Sequence, residues 1–374
     1  MADLQGSYDE LFAAAPTVLA KLLDDGDAGG SVAVFVDGQP VVDVWGGFAD
    51  PQRTKPWQQD TITSVFSVTK TMTALCALIL ADRGQLDLDA PVIRYWPEFA
   101  TAGQGRANGK DQVLVRHLLS HTAGLPDWTG PIEEIYDWPA ATARLAAEAL
   151  QWEPGTAAGY HSLTQGFLVG EVIRRITGQS VGDFFAENVA GPLGADFHFG
   201  LAAEDDHRLA LTVPPPGQGE DYVAGAAASD APQTAGTPIR VRDANSLAWR
   251  RAQIPAAGGY GNARSVALVQ SVLACGGVVR GQRILSQAMC DRTGEAQFDG
   301  VDRVLGRSMR WGLGYGLFGR ALGWGGWGGA IVMIEPDPHL TMAYVTNQMR
   351  EPADDTRGME IIMAAYEGLQ TLRT

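Results

Sequence analysis

The stretch Thr63-Ser64-Val65-Phe66-Ser67-Val68-Thr69-Lys70 runs directly into an apolar segment that ends near Arg83 and Gly84. Ser67 and Lys70 are three residues apart, so a helix beginning here carries both side chains on one face, one turn from each other. A serine in a first helical turn sits among free backbone N–H groups, where the helix field favours negative charge. An amine beside it becomes a base once burial or positive neighbours hold it partly neutral. The chain has only four lysines, Lys21, Lys55, Lys70 and Lys110. Even so, one S-x-x-K spacing arises by chance often enough to prove little alone.

The spacing predicts a helix over residues 67–83. Val68, Met72, Leu75, Cys76, Leu78, Ile79 and Leu80 make it apolar nearly all round, which marks a buried helix. Gly84 supplies a C-terminal stop, with Arg83 near the negative helix end. Lys70 is then a cation at the edge of a buried helix, and needs a solvent-filled cleft or a polar partner.

Towards the amino terminus, residues 7–24 read as an amphipathic helix with Leu11, Phe12, Ala15, Val18, Leu19 and Leu22 on one stripe. Two β-branched-rich strands, 31–36 and 41–45, are joined by Asp37-Gly38-Gln39-Pro40 as a hairpin. Towards the carboxyl terminus, residues 113–126 read as a short helix ending at Gly124. His117 and His121 lie four apart within it, but no Glu stands between them in the H-E-x-x-H sense and no third ligand is evident. Local hydrogen bonding is the expectation there. A helical stretch at 140–150 and the turn Trp152-Glu153-Pro154-Gly155-Thr156 lead to Tyr160-His161-Ser162. A helix over 163–177, closed by Gly178, follows. Gly178-Gln179-Ser180-Val181-Gly182 formally fits G-x-S-x-G, but a helix precedes it where a nucleophile elbow needs a strand. Ser180 with Asp183 reads as a helix cap instead.

Residues 201–240 lack pattern and are rich in Pro, Gly and Ala, which suits a functional or disordered loop. Asn262 caps a helix through 274, and a short helix follows near 286–292. The last ninety residues are β-rich, with strands at 311–318, 330–335 and 340–346 and a closing helix at 354–372. Gly314-Tyr315-Gly316-Leu317-Phe318-Gly319 fits G-x-G-x-x-G formally, but opens no helix, so no dinucleotide site is expected. Strands, a long helical insertion and strands again suggest one sheet built from both chain ends, an α+β fold. The expected division is a discontinuous α/β unit of residues 1–85 and 240–374. Residues 86–239 form a mainly helical unit with a long loop at 201–239.

Bulk properties narrow the function. The 374 residues are 45% hydrophobic and 19% charged, which is globular. A net charge of −15, with no basic run, argues against nucleic acid and anionic membrane as partners. Cys76, Cys275 and Cys290 form neither a C-x-x-C nor an even set, so no disulfide framework or zinc site is expected. The first ten residues lack a basic n-region and an apolar h-region, and no apolar run is long enough to span a membrane. The expectation is a cytoplasmic protein.

Ser67-Val68-Thr69-Lys70, Tyr160-His161-Ser162 and Trp324-Gly325-Gly326 occur in this order. With Leu118-Leu119-Ser120-His121-Thr122-Ala123-Gly124-Leu125-Pro126 and Gly261-Asn262-Ala263-Arg264-Ser265, they resemble the serine β-lactamase-like family across residues 31–335. Within it, the set looks most like the family VIII carboxylesterases. The resemblance implies an antiparallel sheet flanked by helices, an all-helical domain, and a site in the cleft between them. It implies Ser67 as acyl-enzyme nucleophile, Lys70 as the partner taking its proton, and Tyr160 as a phenol that passes a proton to the leaving group. The backbone N–H groups of Ser67 and Trp327 would form the oxyanion hole, and Ser162, Trp324, Gly325, Gly326 and Arg264 would line the pocket. No metal or cofactor is implied.

Two departures bear on the substrate. The β-lactamases of this fold carry Tyr-x-Asn and Lys-Thr-Gly where this chain has Tyr160-His161-Ser162 and Trp324-Gly325-Gly326. Losing a lysine that would hold a substrate carboxylate removes a contact worth roughly 1.5–3 kcal/mol. Trp324 offers an apolar wall in its place. The reading is hydrolysis of small neutral esters. An amidase, D-aminopeptidase, acyltransferase or weak β-lactamase using the same site is the alternative, with Arg264 as carboxylate anchor if it faces the cleft. A third alternative is a non-catalytic protein that keeps the fold.

Overall fold

Nine antiparallel strands drawn from the two ends of the chain form the main sheet. The computed structural model describes residues 1–101, 109–223, 238–352 and 355–372. The strands are β1 (Leu4–Tyr8), β2 (Gly29–Val36), β3 (Gln39–Gly47), β4 (Phe298–Val301), β5 (Ser308–Trp311), β6 (Gly316–Phe318), β7 (Ala321–Gly325), β8 (Ile331–Glu335) and β9 (Leu340–Thr346). Their spatial order is β1-β3-β2-β9-β8-β7-β6-β5-β4. The principal helices are α1 (Ala14–Asp24), α2 (Thr69–Asp82), α3 (Thr164–Thr177), α4 (Ala263–Ala274) and α5 (Arg357–Leu372).

Alternation along the central strands assigns the two faces of the sheet. Val32 and Val34 of β2, with Met342 and Tyr344 of β9, pack against apolar residues of α1 and α5. Ala33, Phe35, Ala343 and Val345 turn the other way, into a core shared with α4 and α2. A smaller four-stranded sheet (Phe197–Phe199, Gly259–Gly261, Ile62–Ser64, Leu209–Ala210) delivers the chain to Ser67. The fold is α+β, and among the described residues no helix is long and apolar enough to cross a membrane.

Several expectations hold. Every residue of α2 from Thr69 to Leu80 is buried, and Gly84 follows its end at φ 70°. Asn262 caps α4 by accepting the Ser265 N–H, and Ser180 accepts the Asp183 N–H. Others are corrected. Residues 7–24 are not one helix: Leu4–Tyr8 is an edge strand paired with β3, and helix α1 starts only at Ala14. The helix read at 113–126 covers only Val115–Leu119, since His121 sits at φ 60°, outside helical geometry. The strand read at 311–318 is the end of β5 and all of β6, separated by a turn in which Gly314 has φ 91°. Strands β4 and β7 carry no apolar alternation that marks them. Within 201–240 lie a 3-10 helix, Ala203–Arg208, and the short strand Leu209–Ala210, while 224–237 fall outside the described residues. Asp354, the expected start of the closing helix, also falls outside them.

A buried ionic cluster ties α5 to the sheet and to the Gly-rich loop after β7. Arg357 is fully buried; it donates to Asp27 Oδ2 at 2.9 Å, to both Asp355 oxygens at 2.8 and 2.7 Å, and to the carbonyls of Gln348 and Gly328. Arg350 adds two bonds to Asp27 Oδ1. Removing one member of such a cluster leaves a buried charge uncompensated, at about 3–5 kcal/mol. Arg357→Met should therefore lower the free energy of unfolding by about that amount in urea titration. A loss under about 1 kcal/mol would show that the cluster contributes no more than a surface pair.

Candidate active site

Ser67 lies in a single 3-10 turn, Phe66–Val68, that feeds directly into α2. Phe66 has φ 45°, a region that L-residues rarely occupy and that costs of order 1–3 kcal/mol. Two contacts hold it there. The Phe66 ring packs edge-on against Trp327 at 5.1 Å, and the Val65 N–H donates to Gly259 O at 3.0 Å. The sharp turn leaves Ser67 part-exposed at the head of an otherwise buried helix.

Lys70 is 1% exposed and has three partners: Ser67 Oγ at 3.1 Å, Ser162 O at 2.6 Å and Ala256 O at 2.9 Å. Carbonyl oxygens only accept, so two Lys70 N–H groups are committed to Ser162 and Ala256. A neutral amine has two N–H groups and one lone pair, and that lone pair then faces the Ser67 hydroxyl. Burial pushes the Lys70 pKa well below its ordinary value, towards this neutral form.

Tyr160 is buried beside them. Burial raises its pKa, and hydrogen bonds from Ser67 and Trp324 only partly offset that, so the phenol keeps its proton. Trp324 Nε1–H donates to the phenol oxygen at 2.9 Å. The Trp324 indole, the Tyr160 phenol, the Ser67 hydroxyl and the Lys70 amine thus lie in one contiguous polar cluster. The Tyr160 ring is set by Trp311, nearly parallel at 6.0 Å, by His121 at 4.9 Å and by Trp324 at 5.1 Å.

Hydrogen bonds between distant segments hold this arrangement. His161 Nε2 accepts the Leu125 N–H and its Nδ1 lies 2.6 Å from Gly159 O, so the imidazole is neutral with its proton on Nδ1. Burial lowers its pKa to about 4. His121 Nδ1 accepts the His161 N–H, while His117 Nδ1 accepts the Leu114 N–H. The two histidines thus serve different loops. Thr69 Oγ1 accepts the Gly259 N–H and Thr73 Oγ1 donates to Pro255 O, which fixes the segment that presents the Ala256 carbonyl.

The remaining sequence-derived residues divide. Gly326 lies so close to the Ser67 turn that a Cβ there would fall 2.2 Å from Val65 O. Among the described residues no acceptor takes the Trp327 N–H, whereas Gly326 N–H bonds to Ala330 O and Gly329 N–H to Gly326 O. Gly325 ends β7 beside Trp324. Ser162 contributes its carbonyl to Lys70, and its side chain is exposed. Arg264 is not brought to the site: it pairs with Asp43 at 2.5 Å and covers the Trp45 ring, both on β3. Three participants carry no local motif: the Ala256 carbonyl, Trp311 and Asp302, a fully buried carboxylate whose Oδ1 accepts the Tyr160 N–H at 3.0 Å. Thr69 and Thr73, one turn apart in an apolar helix, are the visible trace of the first.

A cavity of about 730 Å³ lies elsewhere, lined by Trp96, Trp138, Glu171, Arg174, Arg175 and Gln253 among others. Glu171 takes bonds from both arginines and from Trp138 Nε1, so its charges are matched within the wall.

Residues 18–366 match the beta-lactamase family. The chain is 34% identical over 350 residues to the esterase/beta-lactamase LipL of Mycobacterium tuberculosis (strain ATCC 25618 / H37Rv), covering 87% of this chain and 78% of that protein. The crystal structure of a family VIII carboxylesterase superimposes with a TM-score of 0.88 at 38% identity, over 98% of this chain and 100% of the other. A penicillin-binding protein homolog from Caulobacter crescentus gives 0.86 at 33% identity, over 98% and 100%. The chain belongs to the beta-lactamase family and is one of its serine hydrolases.

Proposed function

We propose that the protein is a carboxylesterase that hydrolyses small neutral esters through an acyl group carried on Ser67. The observation that carries this reading is the Ser67 hydroxyl 3.1 Å from a buried Lys70 amine that is held by the Ser162 and Ala256 carbonyls, with the Tyr160 phenol beside them. Ser67 Oγ attacks the ester carbonyl as its proton passes to Lys70. The N–H groups of Ser67 and Trp327 receive the oxyanion, and Tyr160 gives its proton to the departing alkoxide. The enzyme is left as an ammonium beside a phenolate that still holds the Trp324 N–H. Water then loses a proton to the phenolate and attacks the acyl group. Ser67 Oγ leaves with the proton stored on Lys70, and the starting state is restored.

Three features support neutral esters over carboxylate-bearing substrates. Trp324 stands where a lysine would greet an anion, and Arg264 is committed to Asp43. Trp327 is backed by Tyr222, whose hydroxyl donates to Glu351, so the group behind this wall is acidic. The names of LipL, an esterase/beta-lactamase, and of the family VIII carboxylesterase support ester hydrolysis as such. Amide or β-lactam hydrolysis at the same serine is the second reading, favoured by the penicillin-binding protein homolog. Nitrocefin and D-amino-acid amides assayed beside p-nitrophenyl acetate and butyrate would rank the two.

Ser67→Ala should lower kcat/KM on p-nitrophenyl butyrate by about 10⁴-fold or more and abolish labelling by a fluorophosphonate probe. Retained activity would refute the assignment. Lys70 works only when neutral, and its pKa is depressed, so kcat/KM should fall as pH drops through that depressed value and hold above it. A rate that declines as soon as pH falls below the ordinary lysine range would contradict an already neutral amine. Gly326→Ala should cost about 10²–10³-fold in kcat, because the new Cβ forces apart the backbone carrying the Trp327 and Ser67 N–H groups. An unchanged kcat would remove Trp327 from the oxyanion site.

A further inference from the structure

The acid step proposed above needs the phenol of Tyr160 held at a fixed point, yet residues 159–161 lie in no helix or strand. The hairpin between β4 and β5 supplies the restraint. Asp302, at its turn, is fully buried and accepts four N–H bonds. Two come from its own turn, Val304 at 3.0 Å and Leu305 at 2.9 Å, as a turn-forming aspartate ordinarily does. The other two leave the turn. Oδ1 also takes the Tyr160 N–H at 3.0 Å, and Oδ2 takes Trp311 Nε1–H at 3.0 Å. Arg303 N–H donates to Ala158 O, a second tie between the hairpin and the Tyr160 segment.

We propose that Asp302 is a positioning residue for Tyr160, fixing both the main chain that carries the phenol and the indole that its ring stacks on. Both external bonds act on the same ring. Trp311 is nearly parallel to Tyr160, and it packs at 4.7 Å against Trp324, the residue that donates to the phenol oxygen. Ala158, Tyr160, Met309 and Trp311 close over the carboxylate as one apolar cluster, with Phe298, Val304, Leu305 and Trp324 at its edge. N–H bonds to a carboxylate in such surroundings are charge-assisted and stiff. The charge has a second consequence. The other ionisable groups facing Tyr160 are Lys70, 4.8 Å from the ring centroid, and the neutral His121 and His161. The Asp302 carboxylate beside the phenol opposes early loss of the phenol proton.

This inference rests on Tyr160 being the acid, and the test separates the two ideas. It compares kcat/KM, which reports acylation, for acetate esters whose leaving groups run from p-nitrophenol to ethanol. A p-nitrophenolate departs without help, whereas an ethoxide needs a proton. Tyr160→Phe should lose about 10²-fold or more on ethyl acetate and far less on the p-nitrophenyl ester. Asp302→Asn should show the same bias more weakly, about 10-fold on ethyl acetate against less than about 3-fold on the aryl ester, with KM little changed. If Asp302→Asn proves insoluble, Trp311→Phe keeps an aromatic ring and deletes the N–H donor together with part of the indole surface. It should show the bias at about 3–10-fold. A uniform loss across leaving groups, or no loss, in a folded variant would overturn the positioning role. A uniform loss in Tyr160→Phe would instead overturn the acid itself, and this proposal with it.

Discussion

The structure depends on one amine held out of water between two carbonyls. A buried lysine is costly wherever it is charged and unpaired, and Lys70 avoids that cost by giving two N–H groups to Ser162 and Ala256. Those carbonyls come from segments 92 and 186 residues away in sequence. The bond pattern that makes Lys70 tolerable therefore also draws two distant stretches of chain onto the head of α2. The same two bonds use up the N–H groups of a neutral amine and turn its lone pair to Ser67. Stability and the proposed reactivity here have the same origin.

Other contacts at the site repeat the pattern of polar groups satisfied from far along the chain. Thr69 and Thr73 pin 255–259, His121 and His161 join 121–125 to 159–161, and Arg357 reaches the Gly328 carbonyl from the start of α5. The bonds of Thr69, Thr73, His121 and His161 are buried, so each of these is expensive to break. A site on such supports keeps its geometry even though the residues at 160–162 and 326–329 have no regular structure.

What was legible in the sequence was what is local. The S-x-x-K spacing, the caps at Asn262 and Ser180 and the apolar run of β9 each depend on neighbours a few residues away. Tyr160 and Trp324 were legible only by resemblance, because nothing nearby marks them. The edge strand β1 was hidden, since its side chains are mostly exposed and its pairing with β3 is a matter of backbone bonds. Strand β4 was hidden for the same reason. Arg264 was misplaced because a residue's neighbours in sequence do not disclose its partner, and Asp43 lies 221 residues away. Asp302 has no local signal either: its defining bond spans 142 residues.

In the proposed mechanism, Trp324 bears on both chemistry and selectivity. An ammonium near this position would pair with an anionic substrate, and would also lower the phenol's pKa by favouring phenolate. An indole does the first not at all and the second only weakly, through a single neutral N–H at 2.9 Å. In the proposed mechanism Tyr160 therefore stays the acid in the resting site, and Lys70 has no rival as the base. That division suits a leaving oxygen, which needs its proton late and only in part. An amide nitrogen must be protonated before it can leave, and would gain more from a nearby cation to stabilise the phenolate left behind. In the proposed mechanism a tryptophan rather than a lysine at position 324 thus disfavours amides on the same grounds that it disfavours carboxylates, and both arguments support the proposal of small neutral esters.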